Sequence, residues 1–148
     1  MALAASLATT SARAQRLHFD LSVSGQFATG AGPGGAVLIT LTLGPMFEVS
    51  SSFLIGLSAG GLIGFSEASS FDAVLVGLPF DVVARARFGP VYIDASIGPW
   101  FVAGLGGNVV VLHLGGTLGA QLGVFRIGVM ASDVGGYFVI GPVLGLTF

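Results

Sequence analysis

Three side chains that could do chemistry stand at alternate positions near the start of the chain: His18, Asp20 and Ser22. An imidazole that takes a hydroxyl proton while a carboxylate orients it is the constellation of nucleophilic hydrolases. Spacing of two along an extended strand holds such groups roughly 7 Å apart, so a working triad would need a partner from a neighbouring strand. A second set is ionic. Asp81, Arg85 and Arg87 recur at even spacing, Tyr92, Asp94 and Ser96 do the same, and Glu48 and Arg126 sit alone in apolar surroundings. His113 has no second histidine or acid at ligand spacing, and the chain has no cysteine. No metal site, nucleotide loop or cofactor is therefore expected.

The elements that carry these residues follow a period of two. Leu17, Phe19, Leu21, Val23 and Phe27 share one face of an extended segment, while His18, Asp20, Ser22, Ser24 and Gln26 share the other. Composition tells which face meets which solvent. The 148 residues are 53% hydrophobic with mean hydropathy +0.95, and only 8% are charged, against roughly 25% in ordinary soluble domains. Five basic residues, none of them lysine, and seven acids cannot coat a water-soluble body of this size. The surrounding solvent is lipid. A net charge of -2 offers no basic face to nucleic acid.

Helices and closed barrels are the two structures that span a bilayer with every backbone group bonded internally. Ala95 to Phe125 carries no formal charge, and Gly56, Gly60, Gly64 and Gly115, Gly119, Gly123 have the spacing of close helix packing. These runs are broken by Gly98-Pro99 and by Gly106-Gly107-Asn108. A spacing of four also keeps glycines on one face of a strand. The reading is an all-β, eight-stranded, antiparallel up-and-down transmembrane barrel, with a soluble eight-stranded ligand-binding barrel or sandwich as the fold-level rival.

Strands are expected at about 17–27, 37–49, 52–65, 73–88, 91–102, 109–122, 124–131 and 137–148. The connections alternate between longer glycine- or serine-rich loops and tight turns, as in outer-membrane barrels. Pro45, Pro79, Pro99 and Pro142 fall inside strands, where each removes a ladder donor, so bulges are expected there. Residues 1–15, ending in Ala12-Arg13-Ala14, read as a signal-peptide-like or disordered segment ahead of a barrel over 16–148.

The last strand alternates apolar residues through Leu144 and Leu146 to a terminal Phe148. This resembles the C-terminal signal of bacterial outer-membrane barrels. With eight strands and an export-like start, the chain resembles the small barrels typified by the OmpA transmembrane domain and OmpX. The resemblance implies a bacterial outer-membrane location, a monomer in the lipid bilayer, and the barrel-assembly machinery as a partner during biogenesis. It departs from that pattern in its short loops and in having two tyrosines and one tryptophan, which argues against adhesion or receptor roles.

In such a barrel Asp20, Glu48, Asp81, Arg85, Arg87, Asp94 and Arg126 face the lumen, and all but Asp81 are placed in its periplasmic half. His18, Gln26, Tyr92, Trp100, His113 and Gln121 are further polar lumen residues. Buried charges must be paired, and the arginine fork suits carboxylates. The expected function is a structural barrel or a narrow, low-conductance pore with a charged, salt-bridged lumen, and no enzyme. Lumen glycines then make room for Arg85, Arg87 and Trp100, or leave a water path. A lipid-A-modifying barrel enzyme is the alternative.

Overall fold

The computed structural model describes residues 16–29, 36–66, 73–104 and 107–148. The segment 1–15, with its export-like pattern, lies outside the described residues. Eight strands follow in order: β1 (Leu17–Thr29), β2 (Ala36–Ser50), β3 (Phe53–Ser66), β4 (Ala73–Phe88), β5 (Val91–Gly104), β6 (Gly107–Leu122), β7 (Phe125–Val134) and β8 (Tyr137–Thr147). Each pairs antiparallel with the next, and β8 returns to β1, so the sheet closes on itself. Closure leaves no sheet edge along the seam, which is what a strand-built membrane span requires.

Alternation along each strand sorts the side chains. Leu41, Leu57 and Leu118 are 55%, 58% and 61% exposed on the outer wall. Leucines of this exposure on every side make the wall a lipid-facing surface rather than the outside of a soluble sandwich. Residues of the other parity point inward and are buried, among them Ser24, Gln26, Thr40, Asp94, Thr117 and Thr147.

The two ends differ. Ser51-Ser52, Gly89-Pro90 and Gly123-Val124 make tight turns at the end that also holds both described termini. Gly89 and Gly123 adopt φ of 63° and 64°, a backbone region open chiefly to glycine. At this end Phe19 and Phe148 exchange two backbone hydrogen bonds, of 2.7 and 3.0 Å, and their rings stack at 6.5 Å across the β1–β8 seam. Phe47, Phe53, Phe88 and Phe125 stand exposed at the same level. The aromatic girdle is thus built from phenylalanine, while Trp100 and Tyr92 are inside the barrel.

Two expectations need correction. β7 extends to Val134 instead of stopping near Ala131, because Asp133 pairs in register with Leu114 and Phe138 and its carboxylate caps the Gly136 N–H at 2.9 Å. The prolines do not produce bulges. The one register shift among the described pairs lies between Glu48 and Ser50, beside the Ser51-Ser52 turn. At the prolines the ladder merely lapses and resumes in register: Gly44-Pro45 opposite Leu57-Ser58, Pro79 opposite Gly60, Gly98-Pro99 opposite Phe80-Asp81, and Gly141-Pro142 opposite Gly25-Gln26. Glycine explains it. A Cβ on Gly44, Gly98 or Gly141 would overlap the carbonyl of Leu57, Phe80 or Gly25, so the strands close up by bringing a bare Cα onto the neighbouring carbonyl.

Candidate functional site in the barrel interior

The polar residues of the inward face gather into separate groups along the barrel axis. Asp20, Arg85, Asp94, Arg126 and Thr147 all lie within four residues of the tight-turn end of their strands, and the closed sheet turns all five toward one another. Arg85 donates from Nε to Asp94 Oδ1 at 2.7 Å and from Nη2 to Asp94 Oδ2 at 2.9 Å. Its remaining edge reaches Asp20, with Nη1 to Oδ1 at 3.0 Å and Nη2 to Oδ2 at 2.6 Å. Arg126 donates from Nη2 to Asp20 Oδ2 at 2.6 Å and from Nε to Thr147 Oγ1 at 2.9 Å, and the Thr147 hydroxyl is donated to Asp20 Oδ1. Both guanidinium carbons lie 5.3 Å from the centre of the Tyr92 ring. Two cations, two carboxylates and an aromatic face make a compact network whose charges are paired with one another.

Arg87 and Glu48 are not part of it. They form a looser, partly exposed group nearer the rim, where His18 Nε2 lies 3.1 Å and Arg87 Nη2 3.6 Å from Glu48 Oε2, and Arg87 also donates to the Ser51 carbonyl at 3.0 Å. Gln121 is at that rim too, donating to the Gly123 carbonyl at 3.1 Å.

Asp81 stands apart from every arginine among the described residues. Its Oδ1 is 2.8 Å from His113 Nδ1, and Trp100 Nε1 donates to it at 3.2 Å. The Trp100 and His113 rings stack at 4.2 Å. Gln26 forms a further group, donating to Ser24 Oγ at 2.8 Å while its own carbonyl accepts from Ser132.

The along-strand set of His18, Asp20 and Ser22 is not brought together. His18 meets Glu48, Asp20 meets two arginines, and Ser22 bonds Thr42 at 2.8 Å. The lumen glycines serve neighbours other than those expected. A Cβ at Gly145 would press on the Arg126 guanidinium, at Gly119 and Gly128 on Tyr92, and at Gly115 on His113, so bare backbone leaves room for Arg126, Tyr92 and His113 rather than for Arg85, Arg87 and Trp100.

Sequence reasoning placed Trp100 inside the barrel but missed the apolar residues that pack around it. Leu38, Leu62, Trp100 and Val139 form a buried cluster toward the loop end, with Val102, Val111 and Val134 against it. Met46 and Leu54 are likewise fully buried. Their parity, shared with Thr40, Ser58 and Gly141, was the available signal. Between the apolar cluster and the ionic network lies a chamber of about 70 Å3 lined by hydroxyls, including Ser22, Thr42, Ser58, Ser96 and Thr117. Such a space is polar enough and large enough for a few ordered waters.

In sequence, no protein-family model and no curated protein matches the chain. In structure it is similar to Ail, the attachment invasion locus protein of Yersinia pestis, with TM-score 0.58 at 13% identity over 89% of this chain and 97% of that one. Neisserial surface protein A gives TM-score 0.60 at 14% identity, covering 88% and 95%. The outer membrane enzyme PagL gives 0.57 at 10% identity, covering 87% and 98%. The chain therefore has the fold of the small eight-stranded outer-membrane barrels.

Proposed function

We propose that this chain is an integral protein of the bacterial outer membrane whose barrel is closed along its axis, and that its role is structural rather than conductive. The observation that carries the reading is the double closure of the interior: the Asp20, Arg85, Asp94 and Arg126 network toward the tight-turn end, and Leu38, Leu62, Trp100 and Val139 toward the loop end. Eight strands enclose an interior that side chains can nearly fill, with room for at most one small ligand. The lipid-facing wall and the likeness to outer-membrane barrels support the location. The closed seam, which leaves no edge to pair, supports a monomer.

The terminal Leu144, Leu146 and Phe148 suit recognition by the barrel-assembly machinery, since Phe148 occupies the seam where the last strand must meet the first. No catalytic residue is assigned: His18, Asp20 and Ser22 each serve a different partner.

The test is conductance of the refolded chain in planar bilayers. Wild-type protein shown to have inserted is expected to stay silent, and so is Arg85→Ala, which removes the centre of the ionic network but leaves the apolar closure in place. Discrete openings of the wild type would replace this reading with that of a narrow pore filtered by the charged ring.

A further inference from the structure

We infer that the lumen chamber is reached sideways from the bilayer, between β4 and β5, and that it takes the cationic, N–H-bearing head of a single-chain amphiphile whose tail lies on the outer wall. The inference rests on the axially closed interior proposed above and adds a ligand and a route to it.

A groove of about 330 Å3 crosses the lipid-facing side of β2 to β5, walled by Leu43, Pro45, Ala59, Phe80, Ile97 and Pro99. Leu57, Ser58 and Asp81 line both this groove and the inner chamber, so the two spaces are separated by the wall alone. That place is one of those where the strand ladder lapses, and it is the one that holds Asp81. Phe80-Asp81 and Gly98-Pro99 face each other where the β4–β5 ladder lapses, and Pro99 has no N–H to give. The strands meet there through the Gly98 Cα against the Phe80 carbonyl, a weak contact in place of N–H···O bonds. Parting β4 from β5 here breaks fewer hydrogen bonds than parting a continuous ladder. Entry along the axis would instead have to break the arginine network or displace the apolar cluster.

The chemistry of the ligand follows from the lining. The groove is apolar and opens to lipid, so it suits a hydrocarbon tail. The chamber presents the carboxylates of Asp20, Asp81 and Asp94 against the guanidiniums of Arg85 and Arg126. Among the described residues Asp81 is bonded to the rings of His113 and Trp100 and to no arginine. A carboxylate keeps lone pairs for further donors, and the surrounding hydroxyls accept as well as donate. A protonated amine satisfies both.

Trp100 is the chain's single tryptophan, is 2% exposed, and donates to Asp81. It reports on the chamber directly. In lipid vesicles carrying the folded barrel, a dodecylamine with a nitroxide beside its ammonium group should quench Trp100 fluorescence saturably. The same nitroxide on the head of a dodecanoate should quench little. Val82 and Ile97 are paired directly beside the interruption, so a Val82→Cys/Ile97→Cys pair is expected to form a disulfide that abolishes the quenching, and reduction is expected to restore it. Asp81→Asn should weaken binding by about tenfold, the loss of one charge-assisted hydrogen bond. Quenching that is equal in the oxidised and reduced double variant, or equal for the two head groups, overturns the lateral route or the cationic ligand respectively. A tail-less nitroxide ammonium that quenches wild type from water would instead overturn the closed axis. If Asp81→Asn does not fold, the oxidised and reduced forms of one folded protein still decide.

Discussion

Arg85 and Asp94 stand directly opposite each other on β4 and β5, and two parallel N–H···O bonds of 2.7 and 2.9 Å join the guanidinium edge to both carboxylate oxygens. The same arginine turns its other edge to Asp20 across the lumen. One planar group with five donors ties three strands, which the single ammonium of a lysine cannot reproduce.

Removing that group leaves two carboxylates buried without their main counter-ion. Arg85→Ala is expected to cost about 3–5 kcal/mol, and Arg85→Lys to recover only part of it. Urea unfolding of the barrel in lipid vesicles, followed by Trp100 emission, gives the number. Equal midpoints for wild type and Arg85→Ala would mean that the network adds nothing to stability.

Gly60 and Gly61 are neighbours on β3 with opposite fates. A Cβ on Gly60 would overlap the Leu41 carbonyl, whereas one on Gly61 meets nothing within 4 Å. Gly60→Ala should therefore destabilise the barrel by roughly 3 kcal/mol or prevent its folding, as overpacking against fixed backbone does. Gly61→Ala should lie within about 0.5 kcal/mol of wild type or gain slightly from the stiffer unfolded chain. Heat-modifiable gel mobility separates the two outcomes before any titration.

Tyr92 offers a ring to two arginines, yet its buried hydroxyl has no hydrogen-bond partner among the described residues. Deleting the oxygen alone removes an unsatisfied group, so Tyr92→Phe is expected to be neutral or stabilising. Tyr92→Ala removes the ring and leaves a void between the guanidiniums, at about 3–5 kcal/mol. A Tyr92→Phe loss as large as that of Tyr92→Ala would place the contribution on the hydroxyl.

Much of this architecture is legible in the sequence because a period of two is local. Eight alternating runs and their tight turns are visible residue by residue, and the structure has eight strands closed in order. Facing is equally local: Asp20 and Arg126 can be assigned to the inward side from their neighbours alone. Their meeting cannot, since 106 positions separate them and the bond depends on how eight strands are staggered around the axis. Stagger also explains why Asp81 meets His113 rather than Arg85, four residues further along its own strand. Leu38, Leu62 and Val139 were hidden for a different reason. Hydrophobicity argues outward and parity argues inward, and near the loop end parity prevails because these side chains cover one another. The prolines misled because a missing donor suggests a bulge, whereas an adjoining or facing glycine let the strands close over the gap.

The identity of the outer solvent can itself be measured at one position. Leu114 is 58% exposed on β6, flanked by the inward-facing His113. On a soluble barrel, arginine at so open a site would change stability by a few tenths of a kcal/mol. On a lipid-facing wall, Leu114→Arg at the middle of β6 is expected to cost about 2–4 kcal/mol, and Leu122→Arg, at the last residue of β6 beside the tight turn, about 0–1 kcal/mol. Reversible unfolding in lipid vesicles measures both. A depth-dependent penalty of that size requires hydrocarbon around the barrel, and equal small effects at the two positions would remove the membrane from the account.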